Sequence, residues 1–579
     1  MSRSFDVSAL APVDLEFVLV ADTHDMESIE RGGDEFSSRP LQGDRARVAL
    51  ELAEDLPGSV MIHMGDLIQA YPESAEYGKA FDKTIGSMKS LSKALYLVAG
   101  NHDIGDKPDP TMPTHPVRPE ILKRYHEKVG CSWYVLNVGG WRIFVLNSQV
   151  FGSGLPEEET QRQWLEGHLQ SGEEDPTMLL LHLPLYLGQR DEPALGNYDV
   201  IDNRTRRWLL DLIEAHGVNF VGGAHVHFQF FDRIGHCEYH QFASTSFTRP
   251  GFAHLFASAA PPERGRDDRC KLGIYLMRAQ GGRMEPYFIR TYGATAFNSL
   301  VPAGARLFIA PRSSAGRSSP LGLTMKQPLV SRGVVPIAFP SVRRQEIRCD
   351  YPFFLLQELG VQHLRLPIED WSDPLQRSRI DALADRGVAM TAIVLSETVE
   401  EVERVLEETV FAGIDVLEWQ MAGRSSTDEE EVRRFSEAVR KAGARAALAP
   451  VIAGEDEEGK QHPRTRIGFS ESDIRKLEDT DGLFGSGVEV LCCRVSPKAV
   501  VWEGMQAMEA TLRTSGWKGI IAFSLELGST EESLNAWRVV QALAFCCSHE
   551  GTRLFVDPLT DLDRTMDETQ AMEEALLEA

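Results

Sequence analysis

From Leu15 to about residue 292 the chain alternates short apolar runs with longer amphipathic stretches. The apolar runs at 15–21, 59–64, 94–98, 134–138, 142–147, 177–182, 218–222, 238–243 and 272–277 predict buried strands, because they are short and end in turn-forming residues. Apolar positions at helical spacing predict helices over 43–55, 75–90, 118–128, 159–170 and 204–216. Strands and helices mixed in this way fold as a layered α/β sandwich.

The pattern then breaks. Residues 294–333 hold Pro311-Arg-Ser-Ser-Ala-Gly-Arg-Ser-Ser-Pro-Leu-Gly322, rich in turn formers and without apolar periodicity. This reads as a linker between a first domain at 1–293 and a second at 334–579. Strand-like runs near 334–339, 362–367, 388–395, 414–420, 444–451, 488–495, 518–526 and 552–557 follow, with helical stretches such as 397–412, 426–441, 499–515, 530–547 and 563–578 between and after them. Eight strand–helix units of this length match a (β/α)8 barrel, with an open doubly wound sheet as the other arrangement.

Charge narrows the partners. The 86 acidic and 60 basic side chains leave a formal net charge of −26, which argues against holding nucleic acid or an anionic membrane through a general basic surface. The start of the chain has no basic segment followed by an apolar one, and no run is long and apolar enough to span a bilayer. Eight cysteines in 579 residues, with two adjacent pairs at Cys492/Cys493 and Cys546/Cys547, are expected to be free thiols in a reducing compartment, the cytoplasm.

Histidine is concentrated in the first half, with 13 of 16 before residue 260. Asp22-Thr-His24, Gly65-Asp66, Gly100-Asn-His-Asp103, His182 and Ala224-His-Val-His227 each stand just past the carboxyl end of an apolar run. That edge of an α/β sheet is where ligand sites gather. A carboxylate can bridge two divalent ions while imidazole and amide oxygen complete each shell. Each cluster alone is commonplace, since an isolated histidine is more often a satisfied core residue than a ligand. Five in this order, each after a strand, point jointly to a two-metal centre.

The order Asp-x-His, Gly-Asp, Gly-Asn-His-Asp, His, His-x-His resembles the calcineurin-like metallophosphoesterases, over about residues 15–292. Gly65-Asp-Leu-Ile68, Val98-Ala-Gly-Asn-His-Asp-Ile-Gly105, Phe144-Val-Leu-Asn-Ser-Gln149 and Leu181-His-Leu-Pro-Leu185 look most like family members described as Ser/Thr phosphatases, and the core is similar to cyclic-nucleotide and glycerophosphodiester phosphodiesterases. The resemblance implies a four-layer αββα sandwich. It implies one ion on Asp22, His24, Asp66 and His227, and another on Asp66, Asn101, His182 and His225, with Asp66 bridging. Mn or Fe, or alternatively Zn, would suit that donor set. His102 would bind the substrate with Asn101 and stabilise charge or protonate the leaving oxygen, and Asp103 would orient His102. The implied reaction is attack on a phosphate ester by metal-held hydroxide, on a small-molecule phosphodiester or alternatively on a phosphomonoester or Ser/Thr-phosphate. Two departures stand out: Ala224 replaces the usual Gly before His-x-His, and Gln69 stands near where a second acidic residue often follows Gly-Asp.

Loops 25–43 (with Arg31, Gly32, Gly33 and Arg39), 104–118 and 186–203 (with Tyr186, Arg190 and Tyr198) are the expected specificity elements. In the second half, strand alternation turns Val416, Glu418, Gln420, Ala522, Ser524, Glu526, Arg365 and Arg494 inward. Glu418 and Glu526 resemble the carboxylate pair of retaining glycosidases, but Gln420-Met421 stands where that family has Asn-Glu. A carbohydrate- or ligand-binding barrel and a structural, salt-bridged or oligomer-forming one are the other readings.

Overall fold

Along the strand Leu15–Val20, Phe17 and Leu19 pack into one apolar cluster while Val18 and Val20 pack into another. Thr177–Leu180 behaves alike, with Met178 and Leu180 on one side and Leu179 on the other. A strand buried on both faces belongs to an inner layer, so these two lie in the two middle layers of a sandwich. The computed structural model of the chain describes residues 4–7, 10–26, 36–109, 115–171, 175–192, 198–249, 262–301, 306–309, 319–325, 327–336, 344–408, 412–426, 428–454, 465–477, 485–527 and 531–557.

One sheet has the order Arg283–Arg290, Gly273–Gln280, Leu15–Val20, Val60–His63, Ala94–Leu97. The facing sheet has the order Tyr134–Val138, Trp141–Val145, Thr177–Leu180, Phe220–Gly223, Cys237–Gln241, Phe230–Ile234. Phe17, Ile62, Trp141, Ile143 and Met178 fill the space between them. Helices Gln42–Asp55, Tyr77–Lys89 and Pro119–Lys128 cover the first sheet, and Pro156–Leu169 and Asn203–Ala215 cover the second. The result is the four-layer αββα sandwich.

The second half forms a closed barrel of eight parallel strands: Leu321–Thr324, His363–Pro367, Ala389–Ser396, Val416–Ala422, Arg445–Ala453, Val490–Val495, Ile520–Glu526 and Thr552–Asp557. Pairing of the last strand with the first closes the ring. Seven of the eight agree with the apolar runs. The first does not. The run expected at 334–339 forms instead the strand Ser331–Pro336, paired antiparallel with Arg344–Cys349. The real first strand, Leu321–Thr324, lies inside the expected linker. It is four residues long and includes Gly322, where a Cβ would fall 2.8 Å from the Phe555 ring. A strand so short and glycine-containing gives no periodic signal. Pro336 was the available clue, since proline suits an edge strand and not a central one.

The chain accordingly divides into two compact units, residues 1–310 with 331–351, and residues 311–330 with 352–579. The helix expected at 563–578 and the loop residues Arg31, Gly32 and Gly33 lie outside the described residues. All eight cysteines are free. Among the described residues no helix is long and apolar enough to cross a membrane.

Inside the barrel, Val416, Ala447, Val490, Ala522 and Phe555 come together from five strands. One step further along the strands the lining turns polar. Buried Arg365 donates from Nε to Glu418 Oε2 at 3.0 Å and from a second nitrogen to Oε1, and Gln420 Nε2 donates to Glu418 at 2.9 Å. Arg494 grips Glu526 bidentately at 2.7 and 2.8 Å. Both carboxylates of the suspected glycosidase pair are thus held by arginine, as in an internal salt-bridged plug. Removing one partner of a buried pair strands the other charge. Glu418→Gln is expected to lower the barrel's unfolding free energy by about 3 kcal/mol, and Arg365→Met with Glu418→Leu to recover most of it. Denaturant unfolding checks this; a Glu418→Gln midpoint equal to the parent's would contradict it.

Candidate metal centre

Every ligand loop starts where a strand stops. Asp22 and His24 follow Leu15–Val20, Asp66 follows Val60–His63, and Asn101-His102-Asp103 follow Ala94–Leu97. From the facing sheet, His182 follows Thr177–Leu180, and His225 and His227 follow Phe220–Gly223. The ligand-bearing strands run parallel to one another within each sheet, so these loops leave at carboxyl ends.

The loops turn sharply. Asp22 (φ 49°), His24 (41°), Asp66 (54°), His225 (69°) and His227 (52°) all have left-handed backbone. Among the described residues only Glu263 and Tyr292 share this among non-glycines. Such conformations cost of order 1–3 kcal/mol each and persist where the surroundings over-determine them. Here they aim side chains from different strands at common points. Main-chain bonds knit the loops together: Asp22 N–H to Gly65 O at 3.2 Å, His24 N–H to Asp66 O at 3.0 Å, and Ala224 N–H to His182 O at 2.9 Å. At Gly100 a Cβ would lie 2.3 Å from the Asp66 backbone nitrogen and from its Oδ1, so any larger residue would displace Asp66.

Two buried donor sets result. Ligand atoms of Asp22, His24, Asp66 and His227 lie within 4.8 Å of one another, and so do those of Asp66, His182 and His225. Asp66 belongs to both; its Oδ2 is 3.5 Å from His24 Nε2 and 3.4 Å from His182 Nε2. Asn101 Oδ1 joins the second set, 3.2 Å from His182 Nε2 and 3.1 Å from His225 Nδ1. All seven expected ligands are therefore brought together, in the two expected groups.

The surroundings orient the ligand atoms and hold two of the imidazoles neutral. His182 Nδ1 is 2.8 Å from Met64 O and His227 Nδ1 is 2.9 Å from Phe247 O. A carbonyl there keeps the proton on Nδ1 and leaves the Nε2 lone pair pointing inward. Burial, reinforced by His102, holds His24 well below the ordinary imidazole range, and burial with His182 does the same to His225. Burial also opposes charge on His182, yet the Asp66 carboxylate raises it to about 9. Neutral imidazole is the form a divalent ion takes, so an ion would meet His24 and His225 ready and would displace the proton of His182. Asp22 Oδ2, His24 Nδ1 and His225 Nε2 are buried with no hydrogen-bond partner among the described residues. His24 Nε2 and His227 Nε2 lie 3.1 Å apart, and His182 Nε2 and His225 Nδ1 lie 3.3 Å apart. Converging lone pairs and carboxylates of this kind fit two divalent ions, each supplied with nitrogen and oxygen donors.

His102 sits beside both groups. Its backbone N–H donates to Asp66 Oδ1 at 2.9 Å, and its ring meets those of Tyr71 at 4.1 Å and His24 at 4.6 Å. The orienting partner differs from expectation. His102 Nδ1 is 2.7 Å from the Gln69 carbonyl. Asp103 does not orient His102: its carboxylate accepts the backbone N–H groups of Asp66 (2.9 Å), Leu67 (3.0 Å) and Gly100 (2.9 Å). Asp103 thus clamps the bridging-ligand loop, and burial with the Asp66 charge pushes it up to about 8 against those three N–H groups. In a one-turn helix a side chain at the third position reaches back to free main-chain N–H groups, a local geometry invisible in the motif itself.

Several further residues enclose the site. Asn101 Nδ2 donates to Asp106 Oδ1 at 2.9 Å and to Tyr198 Oη at 2.6 Å, which fixes the amide with its oxygen inward. Asp199 Oδ1 lies 3.9 Å from His225 Nε2 and 2.5 Å from an Arg249 nitrogen. Phe247 packs on His24 and His227. Of the expected loop residues, Tyr198 is here; Tyr186 instead donates to Asp232 and Arg190 pairs with Glu214. Asp106, Asp199, Phe247 and Arg249 belong to no spacing pattern, and only their place after strand ends could have marked them.

Residues 15–229 match the family model described as calcineurin-like phosphoesterase, and this stretch is a domain of that family. The Danio rerio "Serine/threonine-protein phosphatase CPPED1" is 29% identical over 34% of this chain and 63% of its own length. The chain thus spans less than two thirds of that relative. The Vibrio vulnificus "3',5'-cyclic adenosine monophosphate phosphodiesterase CpdA" is 28% identical over 30% of this chain and 57% of its own. Among solved structures, purple acid phosphatase PPD1 from yellow lupin (Lupinus luteus) seeds aligns at 14% identity over 48% of this chain and 51% of its own, with a TM-score of 0.33.

Because Asp66 is shared, Asp66→Asn is expected to reduce the bound metal from two ions to at most one per chain. Asp103→Asn, which keeps every ligand but places an amide N–H against main-chain N–H groups, should weaken metal binding roughly 10- to 100-fold. Elemental analysis after dialysis at graded free metal measures both. Parent-like occupancy in Asp103→Asn would show that the clamp is unimportant.

Proposed function

We propose that the N-terminal unit hydrolyses phosphate esters at a dinuclear centre and that its substrate is a small-molecule phosphodiester. The observation that carries the reading is the sharing of Asp66 between two buried donor sets, with His102 alongside. When bound, two divalent ions supply the positive charge that holds phosphate oxygens and acidifies a water. Mn or Fe fits the mixed oxygen and nitrogen donors, with Zn as the alternative.

The chain's own residues do the rest. Asp66, Asn101 and the four metal-facing histidines fix the positions at which phosphate oxygens are held. His102 faces the substrate. The Gln69 carbonyl accepts the Nδ1–H of His102, which leaves Nε2 as the atom that would carry the proton to the leaving oxygen. A water that has lost one proton to solvent forms the new bond to phosphorus, the bond from phosphorus to the leaving oxygen breaks, and His102 hands its proton to the departing alkoxide and regains one from solvent. The products are a phosphomonoester and an alcohol.

Local charge supports the diester. Asp106 and Asp199 add two carboxylates next to the second donor set, and the nearby Arg249 is already paired with Asp199. A singly charged diester meets less repulsion from that wall than a doubly charged monoester. The names of the two relatives, one a Ser/Thr-protein phosphatase and one a cyclic AMP phosphodiesterase, span both readings. Free thiols fit a cytoplasmic setting.

Two outcomes are expected. The parent should show higher kcat/KM on a bis-aryl phosphate than on the matching aryl monophosphate; the reverse order would favour the monoesterase. His102→Ala should keep its metals yet lose roughly 100- to 10,000-fold in kcat on alkyl esters, and less on esters with good leaving groups. Equal losses on both would remove His102 from the proton-donor role.

A further inference from the structure

The strand pair Ser331–Pro336 and Arg344–Cys349 lies well beyond the family-matched residues 15–229, and in chain order it interrupts the barrel between its first strand and its first helix. It nevertheless packs within the phosphoesterase unit, against the backs of the two histidine loops. Val335, Ile347 and Cys349 share an apolar cluster with Leu187, Val226 and Phe228. Val226 lies between His225 and His227, and Phe228 follows them. Leu187 belongs to the loop that follows His182.

Polar contacts extend the same seam. Glu192 gathers the backbone N–H groups of Leu187 (3.1 Å) and Gly188 (2.7 Å), and Gln345 Nε2 donates to that carboxylate at 3.3 Å. A Cβ on Gly188 would lie 2.7 Å from the Glu346 carbonyl oxygen, so loop and hairpin touch backbone to backbone. Buried Arg348 donates to Asp232 at 2.9 Å and covers the Phe230 ring at 4.4 Å. Asp350 accepts the Phe231 N–H at 3.0 Å. These contacts fasten the strand Phe230–Ile234, which follows His227 directly.

We propose that this hairpin is the mount of the second metal site, with Ile347, Val335 and Arg348 as positioning residues. The proposal rests on the dinuclear reading above. Both histidines of the second set, His182 and His225, sit on loops the hairpin backs; of the first set only His227 does, and Asp22, His24 and the shared Asp66 do not. His225 and His227 have left-handed backbone, and a strained loop holds that shape only while its neighbours impose it. Loosening the mount should therefore release the second ion before the first.

The test uses full-length chain and Mn titration followed by elemental analysis and by the EPR signal of the coupled ion pair. The parent should bind two ions; failure at that step overturns the dinuclear reading itself and not the mount. Given two ions in the parent, Ile347→Ala and Arg348→Gln should each weaken the second ion about tenfold or more, with the first, which has only His227 on a backed loop, weakened clearly less. The coupled signal should be lost at limiting metal, and kcat should fall while KM holds. Gly188→Ala, approaching the seam from the other side, should do the same. Ile347→Val should restore binding, and Val334→Ser, on the exposed face of the same strand, should match the parent. Thermal unfolding of each variant separates a lost mount from a lost fold, and Ile347→Val keeps the comparison available if Ile347→Ala does not fold. Both ions held with parent affinity by folded Ile347→Ala and Arg348→Gln would overturn the proposal, as would equal weakening of both ions.

Discussion

Everything in the N-terminal unit is arranged around one electrostatic constraint: Asp66 Oδ2 must lie within reach of His24 and His182 at once while buried from water. An unpaired charge there would be prohibitively costly. The fold meets the constraint by spending backbone conformation. Five ligands adopt left-handed φ, and Asp103 gives its whole carboxylate to three main-chain N–H groups around the bridging loop. Two cations sharing Asp66 would offset both the buried carboxylates and the strain, which would make metal binding and the shape of the loops one equilibrium.

The sandwich makes this possible because both inner sheets end their parallel strands at the same edge. Asp22, Asp66 and Asn101 come from one sheet and His182, His225 and His227 from the other. Neither sheet alone supplies a complete second site. The apolar filling between them, led by Phe17, Ile62, Trp141 and Met178, therefore sets the distance between half-sites as directly as any hydrogen bond does. Ala224, where the family usually has glycine, keeps its place in this layer: it is buried in the same cluster, and its N–H still reaches His182 O.

The convergence of the candidate donors was legible in the sequence because metal ligation demands particular residue types directly after strands, and both demands leave marks. Relations set by tertiary packing left none. Asp103 follows His102 in the chain but faces the other way, towards Gly100 and Leu67. Gln69 serves His102 through its carbonyl, which any residue could supply. Tyr198 and Asp199 were visible only as members of the 186–203 loop, and Arg249 not at all. In the second half seven strands were readable from apolar runs. The eighth, Leu321–Thr324, was too short, and its place was taken by a strand whose Pro336 fits an edge.

That substitution bears on how the chain's boundaries should be drawn. A run of sequence after the first barrel strand completes the phosphoesterase unit, and the chain then returns to build the remaining seven barrel strands. Neither unit is a contiguous segment, so a cut anywhere in 294–333 would part the sandwich from the hairpin packed on its histidine loops. The barrel meanwhile ties its inward carboxylates to Arg365 and Arg494. A carboxylate gripped bidentately by guanidinium is a poor nucleophile, because the guanidinium N–H groups occupy its lone pairs. The chemistry readable in this chain is thus concentrated at one sheet edge, while its structural support is drawn from residues on both sides of the first barrel strand.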